Sequence, residues 1–173
     1  MLTIRTATNA DIEPVRHLVF TVLAEYGLEP DPERSDSDLA NIEASYLDAG
    51  GVFEVLLDRR HCIVGTVGLF PLDEVRCELR KMYFAPEIRG QGWGKALLNR
   101  MIVKAQGSGF EEMVLETAGV LTEAIALYRA YGFEEVPGEP ETSRCDLRFR
   151  LGLVGYLPPE LRALRRRLDA RPE

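Results

Sequence analysis

Hydrophobic and polar positions change their period along the chain. Residues 2–6 alternate briefly between apolar and polar side chains, which predicts a short strand. Apolar residues then recur at helical spacing over 12–26, and Gly27 is placed to end that helix. A shorter helical pattern covers 39–47. The N-terminal part of the chain therefore predicts one strand followed by two helices.

The middle of the chain changes to strand-like patterning. Three segments rich in β-branched and aromatic residues are separated by polar turns, at 52–57, 61–70 and 75–84. Because the connections are short, neighbouring segments are expected to pair antiparallel and to form a three-strand meander.

The C-terminal half combines both periods. Helical patterns over 92–105 and 121–131 enclose a short apolar strand at 113–117, and two late strands follow at 133–136 and 144–151. A strand, a glycine-rich turn, a helix and a second strand in this order predict a parallel crossover. We therefore expect an α/β fold with a mixed, mostly antiparallel sheet.

The last residues, 152–173, have a weaker pattern. Leu161, Leu164 and Leu168 lie on one side of a predicted short helix whose other sides carry several arginines. We expect a docked C-terminal tail, and contact with a second copy or an anionic partner is the alternative. The chain is accordingly divided into one domain over 1–151 and a tail over 152–173.

Composition narrows the class of protein. The 173 residues are 46% hydrophobic and carry a net charge of −7, which is typical of a globular domain and unfavourable for general nucleic-acid binding. No apolar run approaches the roughly 20 residues of a membrane span, and no charged-then-apolar leader opens the chain. Arginine outnumbers lysine by eighteen to three, which is associated with GC-rich bacterial genomes. We expect no signal peptide and neither a membrane nor a nucleic-acid partner.

The cysteines and histidines predict neither disulfides nor a metal site. Cys62, Cys77 and Cys145 are odd in number and far apart, which fits a reducing cytoplasm. They do not combine with His17 or His61 at metal-ligand spacing. Cys145 lacks an activating neighbour in the sequence and is interpreted as a buried structural thiol.

One segment carries candidate chemistry. The sequence RGQGWGKALL at 89–98 places three glycines directly before a predicted helix. It is not a P-loop, because the upstream glycine and the hydroxyl residue after Lys95 are absent, and it lacks the third glycine of a dinucleotide-binding fingerprint. Unpaired backbone N–H groups at a helix start suit a phosphate group, which glycines allow to approach closely. The alternative is an ordinary turn.

Residues 89–94 fit the pattern R/Q-x-x-G-x-G/A and resemble the acetyl-CoA loop of the GNAT superfamily of N-acetyltransferases. Two longer segments share the resemblance in the same order, ELRKMYFAPEIRGQGWGKALL from position 78 and VLETAGVLTEAIALYRAYGFEEV from position 114. The resemblance implies a GNAT-like central sheet flanked by about four helices, with strands 4 and 5 parallel and splayed. It also implies a reaction without a metal ion.

By the same resemblance, acetyl-CoA is the co-substrate. The backbone of Met82, Tyr83 and Phe84 on the fourth strand would pair with the pantetheine arm, and one of these amides would face the thioester carbonyl. Arg89 and Lys95 would add mobile positive charge near the diphosphate. The diphosphate itself would lie on the glycine loop, which consists of Arg89, Gly90, Gln91, Gly92, Trp93, Gly94, Lys95 and Ala96.

The resemblance also implies two catalytic residues. Tyr128 falls on the position of a family tyrosine that assists departure of the thiolate, and a core tyrosine is the alternative. Glu78, where many members carry a glutamate, would deprotonate the amine directly or through water, and a surface carboxylate paired with Arg76 or Arg80 is the alternative. Glu116 and bulk water remain as alternative bases. Leu121 departs from the pattern, because many members carry an asparagine there.

The implied reaction is direct transfer of the acetyl group to a primary amine within a ternary complex. Two alternatives remain, an acetyl-CoA-sensing module without transfer activity and a protein N-acetyltransferase. The acidic loop, residues 29–38, together with Glu25 before it, would favour a cationic acceptor if it borders the cleft, and is otherwise a solvated loop. The sequence identifies neither the acceptor nor the oligomeric state, and a homodimer is one option because many members dimerise.

Overall fold

A seven-stranded sheet forms the centre of the protein. The computed structural model describes residues 2–163, and in that range the strands lie in the order β1-β2-β3-β4-β5-β7-β6. The β4–β5 pair is parallel and the other neighbouring pairs are antiparallel, which confirms the predicted mixed sheet. The strands are Thr3–Thr6 (β1), Val52–Leu57 (β2), Ile63–Pro71 (β3), Arg76–Phe84 (β4), Glu112–Thr117 (β5), Glu134–Glu135 (β6) and Leu147–Gly152 (β7).

Helices lie on both faces of this sheet. Strand β2 shows how the faces divide, because Phe53 and Val55 join the apolar cluster of the first helix. Glu54, between them, instead accepts from Arg100 of the second helix at 2.5 Å. Alternate residues of a strand point to opposite faces, so the sheet separates these two helices. The α-helices are Ile12–Glu25 (α1), Trp93–Gly107 (α2) and Thr122–Ala130 (α3).

The largest apolar cluster lies between the sheet and helices α2 and α3. Leu98, Met101 and Ile102 of α2 are fully buried in it together with Met113 of β5. Because these α2 residues recur three or four positions apart, they form one face of the helix. Burial of that face fixes the start of α2, and with it the glycine loop, relative to the sheet.

The parallel pair β4–β5 is short. It joins residues 76–78 of β4 to residues 112–114 of β5. Strand β5 continues beside β7 as far as Thr117, whereas β4 turns back to β3 alone. The two strands therefore part from Leu79 onward, which confirms the predicted splay.

Strand β4 also contains a β-bulge. Between the positions opposite Thr66 and Gly68 it has one residue more than β3. Lys81 lies in the bulge with φ +53°, in the left-handed region that disfavours residues with a side chain. Thr66 Oγ1 donates to the Lys81 carbonyl at 2.7 Å, so the irregular backbone does not leave that oxygen without a partner. Such a bulge changes which side chains of the strand face each side of the sheet.

The second predicted helix is confirmed only in part, because the segment is helical but is not one continuous helix. The segment contains a 3-10 turn, Ser37–Ala40, and a π-helical turn, Glu43–Leu47. Asn41 between them is extended, with φ −151° and ψ 91°, a conformation that interrupts a helix. Tyr46 is fully buried and its hydroxyl donates to Asp38, so side-chain burial replaces helical periodicity as the local constraint.

Three predicted strands are shorter than expected. Strand β3 begins at Ile63, because the Asp58 carboxylate accepts from two amides of the preceding turn. His61 lies in that turn with φ +61° rather than at a strand start. Strands β6 and β7 shorten because residues 137–146, between them, form an irregular loop.

The tail packs against the domain. Gln106 of α2 donates to two tail carbonyls at 2.9 and 3.0 Å, and the Tyr156 hydroxyl donates to the Tyr131 carbonyl at 2.5 Å. Residues 159–163 are helical, and the rest of the predicted tail helix lies outside the described residues. None of the helices in the described part of the chain is both long enough and apolar enough to cross a membrane.

Truncation of Met101 tests the packing of α2. Met101 is fully buried, so Met101→Ala should lower the free energy of unfolding by about 2–5 kcal/mol. Val103 on the same helix is 59% exposed, so Val103→Ala should change the free energy of unfolding by less than about 0.5 kcal/mol. Urea unfolding followed by circular dichroism measures both variants. Equal losses would contradict the assignment of the buried face.

Candidate active site

A cleft opens where β4 and β5 part. Its volume is about 880 Å³, and its walls come from the second half of β4, the glycine loop, the end of β5, helix α3, the acidic loop and residues 141–145. Asp31, Arg34 and Asp38 are among the acidic-loop residues that line it. The acidic loop thus borders the cleft, which was the condition for it to influence an acceptor.

The glycine loop presents a row of main-chain N–H groups. None of the amides of residues 90–95 donates to an acceptor within the described chain, whereas the Ala96 amide donates to the Gly92 carbonyl at 3.1 Å. Gly90 and Gly92 have φ +72° and +87°. A Cβ at Gly92 would meet no atom within 4 Å, so glycine is favoured there by backbone conformation rather than by crowding. Free N–H groups at a helix start form an anion-binding site.

The residues of the glycine loop differ in their position relative to the cleft. Gln91 is turned aside, because its Nε2 donates to the Glu87 carbonyl at 2.7 Å. Lys95 and Ala96 are also absent from the cleft wall. Five residues of the loop line the cleft, namely Arg89, Gly90, Gly92, Trp93 and Gly94.

Arg89 is held in place and does not supply the mobile charge expected from the sequence. Its Nε donates to the Phe84 carbonyl at 2.8 Å, and its Nη1 pairs with Glu25 of α1 at 2.7 Å. Its Nη2 is buried without a hydrogen-bond partner among the described residues. The side chain therefore ties the end of β4 and the end of α1 to the glycine loop.

The second half of β4 forms one wall of the cleft. Met82, Tyr83 and Phe84 all line it in succession. Burial raises the pKa of the Tyr83 phenol to about 12, although the nearby Arg144 guanidinium opposes the rise.

Tyr128 lies on another wall, provided by α3. Its ring packs against Phe133 and Phe149, with centroids 5.6 and 6.4 Å away. Burial raises the pKa of the Tyr128 phenol, and no hydrogen bond contributes to the shift. Ala124 and Leu121 line the cleft on the same element, Ala124 one turn before Tyr128. The structure therefore places Tyr128 at the cleft with a phenol that stays protonated at neutral pH.

Glu78 lies at the point where β4 leaves β5. Arg80 Nε donates to its Oε2 at 2.7 Å. Burial raises the pKa of the Glu78 carboxyl, the Arg80 charge and hydrogen bond oppose that rise, and Glu116 adds to it. A buried carboxylate with a raised pKa is a stronger base than an exposed one, because its charged form is less well solvated.

Glu116, the alternative base, is engaged in a structural role. Its carboxylate accepts from the amides of Glu141 and Thr142 at 2.8 and 2.9 Å, and Arg148 Nε lies 3.6 Å away. These contacts hold the irregular loop between β6 and β7 against β5.

Several charged residues of the cleft were missed by the sequence analysis. Lys81 and Arg144 line the cleft, and both pair with the fully buried carboxylate of Asp36. The only available signal was the abundance of acidic residues at 29–38, which does not tell a buried carboxylate from a solvated one.

Cys145 was expected to be a buried structural thiol, and that prediction is wrong in part. Cys145 is only partly buried and lines the cleft, although burial raises the pKa of its thiol to about 12. Cys77 is buried and Cys62 is exposed. Residues 2–163 contain no group of three or more histidine, cysteine, aspartate or glutamate side chains placed to hold a metal ion.

Comparison with known proteins identifies the family. The sequence pattern of the acetyltransferase (GNAT) family matches residues 17–133, more than half of the chain. The chain therefore belongs to the GNAT family of acetyltransferases.

The relatives agree in sequence and in fold. The chain is 34% identical to the uncharacterized N-acetyltransferase YjgM of Escherichia coli strain K12, over 93% of this chain and 92% of that one. A GNAT-family acetyltransferase from Staphylococcus aureus Mu50 superposes with a TM-score of 0.82 at 26% identity, covering 88% of this chain and 99% of that chain. A GNAT phosphinothricin acetyltransferase from Sinorhizobium meliloti, solved with acetyl-CoA, superposes with a TM-score of 0.69 at 25% identity, covering 92% of this chain and 94% of that chain. These similarities confirm the fold that the sequence predicted.

The raised pKa of Glu78 has a measurable consequence for stability. Because the folded state favours the protonated form, the wild type should lose stability relative to Glu78→Gln as the pH rises from below the ordinary value of 4.5 through the folded pKa. Urea unfolding of both proteins from acid to neutral pH measures the difference.

An exposed carboxylate provides the control with the opposite sign. A hydrogen bond from Arg76 lowers the pKa of Asp73, so Asp73→Asn should destabilise above the ordinary pKa of 3.8 and have no effect well below it. The same sign for both variants would contradict the burial assigned to Glu78.

Proposed function

We propose that this protein transfers the acetyl group of acetyl-CoA to a primary amine by direct attack in a ternary complex. The observation that carries the proposal is the row of free amides at 90–95, at one end of a cleft that also contains Tyr128 and Glu78. An anion site, a strand edge without a partner and two titratable groups in one cleft are what this reaction needs.

The glycine loop would hold the diphosphate of acetyl-CoA. The free N–H groups carry partial positive charge at the start of α2, and the glycines keep side chains out of the way. Arg89 is fixed beside them by Glu25, with one buried nitrogen still able to donate. Lys95 and Ala96 belong to the proposed diphosphate-binding loop, although their side chains do not line the cleft.

The parted edge of β4 would hold the pantetheine arm. From Leu79 onward β4 lacks the parallel partner it has at its start, so main-chain groups on that edge, apart from the Phe84 carbonyl that accepts from Arg89, are available to an extended ligand. Met82, Tyr83 and Phe84 are the residues proposed to make these contacts. An amide here would stabilise the negative charge that develops on the thioester oxygen.

Tyr128 and Glu78 would handle the two protons. An alkylammonium has to lose a proton before its nitrogen can attack, and Glu78 accepts that proton directly or through water. The new C–N bond forms as the C–S bond breaks, and the Tyr128 phenol donates a proton to the departing sulfur. A phenol with a raised pKa remains protonated until that moment.

Two other functions remain as alternatives. A sensing module would bind acetyl-CoA without transferring the acetyl group, and Leu121 in place of the family's asparagine is the feature that favours it. A protein N-acetyltransferase would use the acidic loop at the cleft to attract a cationic segment. Thiol release from acetyl-CoA with a broad panel of amines and basic peptides separates these outcomes. Binding without thiol release for any acceptor would favour the sensing module.

A pair of glycine substitutions tests the diphosphate site. Gly92 and Gly109 both have φ +87° and open space at Cβ, but they lie at opposite ends of α2. Gly92→Ala and Gly109→Ala should each cost about 1–2 kcal/mol of stability through the same backbone strain. Calorimetry with acetyl-CoA should show at least about tenfold weaker binding for Gly92→Ala alone, because the strained backbone misplaces the amides. Equal affinity of the two variants would contradict the site, and lack of binding by the wild type would refute the proposed function.

Removal of one hydroxyl tests the general acid. Tyr128→Phe should lower the rate of thiol release about 10²–10⁴-fold with little change in acetyl-CoA affinity, since the phenol acts mainly on the leaving sulfur. Tyr131→Phe is the control, because Tyr131 is also buried but does not line the cleft, and its hydroxyl donates to Glu160 instead. Unchanged turnover in Tyr128→Phe would leave the tyrosine as a packing residue.

A further inference from the structure

A buried ion cluster joins three segments around the part of the cleft that the acidic loop borders. The fully buried Asp36 carboxylate accepts from Arg144 at 2.7 and 2.9 Å and lies 2.8 Å from Lys81 Nζ. Asp38 adds a second carboxylate 3.3 Å from the same ammonium. Arg80 Nη1 lies 3.9 Å from Asp38, so three cations and two carboxylates meet where the acidic loop, β4 and the segment before β7 come together.

Further hydrogen bonds make the cluster a three-way connection. Lys81 Nζ donates to the Ser35 carbonyl at 2.7 Å, and Arg144 Nη1 donates to the Ser35 hydroxyl at 2.9 Å. The Asp31 amide donates to Asp36 at 2.9 Å, which closes the acidic loop on itself. Burial alone would raise the pKa of Asp36, but the Arg144 hydrogen bond and the Lys81 charge bring it below the ordinary value. Loss of the Asp36 charge would leave Lys81 with Asp38 and the Ser35 carbonyl, and Arg144 with the Ser35 hydroxyl alone, so the connection between the three segments is expected to weaken.

The cluster reaches the backbone proposed to meet the thioester. Lys81 has the left-handed conformation of the β4 bulge and directly precedes Met82. A strained backbone of this kind persists where the surroundings over-determine it. Here the carbonyl of Lys81 is bound by Thr66 and its ammonium by the acidic loop, so both ends of the residue are fixed.

We propose that Asp36 is a positioning residue for acetyl transfer, which acts through Lys81 and Arg144 to hold the acidic loop, the β4 bulge and residues 141–145 as one wall of the cleft. The proposal rests on the proposed function. Asp36 itself is not part of the cleft wall, whereas both of its cationic partners are. If the ion cluster only stabilised the fold, removal of Asp36 would lower the melting temperature. It would not change the shape of the cleft, nor would it affect turnover more than cofactor binding.

Cys145 provides a reporter of the cleft wall that needs no acceptor. It follows Arg144 directly, lines the cleft, and reacts slowly as long as its thiol is partly buried with a pKa of about 12. In a Cys62→Ser background the exposed thiol is removed, and Cys77 remains buried. Iodoacetamide then reports Cys145, whose thiolate displaces iodide and forms a C–S bond.

The experiment compares Asp36→Asn, Arg144→Lys and the control Asp73→Asn in that background, each well below its own melting temperature. Asp36→Asn should increase the alkylation rate of Cys145 about tenfold or more, because local opening becomes easier. Arg144→Lys keeps the positive charge but loses the bidentate contact with Asp36, so it should give a smaller increase in the alkylation rate. Asp73→Asn removes an exposed pair with Arg76 outside the cleft and should leave the rate unchanged.

The kinetic readout separates positioning from stability. Asp36→Asn should lower the rate of thiol release to amines by about 10²-fold through misplacement of the cleft wall. Its affinity for free coenzyme A should fall by a smaller factor than turnover does, because the glycine loop still binds the diphosphate even where contacts of Met82 with the pantetheine arm are weakened.

An unchanged alkylation rate in folded Asp36→Asn would overturn the proposal, as would equal losses of coenzyme A affinity and turnover. If Asp36→Asn does not fold, Arg144→Lys decides by the same two criteria. Alkylation remains informative even if the wild type binds no acetyl-CoA, because that result would refute the proposed function and the role of Asp36 in transfer but not its role in holding the cleft wall.

Discussion

The parting of β4 and β5 after three residue pairs is the constraint on which the rest of the site depends. A parallel pair that continued to the end of both strands would bury their edges against each other and leave no cleft. Instead, β5 continues beside β7 while β4 leaves it after Glu78 and contains a bulge at Lys81. Main-chain groups on the freed edge need partners, because buried N–H and C=O groups left unpaired are costly. The fold therefore maintains a place for an extended ligand, and the buried face of α2 keeps the glycine loop at one end of it.

The two ends of this cleft differ in their electrostatics. At the glycine loop, partial positive charge comes from main-chain amides, and the single arginine nearby is already paired with Glu25. At the acidic loop, full charges are present but largely cancel, because Lys81 and Arg144 meet Asp36 and Asp38. An anionic ligand is therefore favoured at the first end by geometry rather than by net charge. At the acidic loop, the paired charges hold the cleft wall in place but produce little net electrostatic field.

Features of the site that arise from short-range sequence were predictable, whereas those that arise from long-range pairing were not. The glycine loop was readable because its helix start and its glycines lie within one segment of eight residues. The splay followed only from resemblance to a family, since no local pattern says where a parallel pair ends. The cluster of Asp36 and Arg144 joins residues 108 positions apart, and each is an ordinary surface-type residue in its own segment. No local pattern indicates that the second predicted helix is divided into a 3-10 turn and a π-helical turn, because burial of Tyr46 beside Asp38 depends on the rest of the fold.

The burial that shapes the cleft also sets its acid–base chemistry. Glu78 and Tyr128 belong to different elements, yet burial raises the pKa of both. For the carboxylate the shift increases basicity toward an ammonium, and for the phenol it preserves the proton that a leaving thiolate requires. A more solvated cleft would lower the basicity of Glu78. It would also make the Tyr128 proton unnecessary, since water could protonate the sulfur. In the proposed reaction, one physical cause therefore suits the carboxylate to accept a proton and the phenol to donate one.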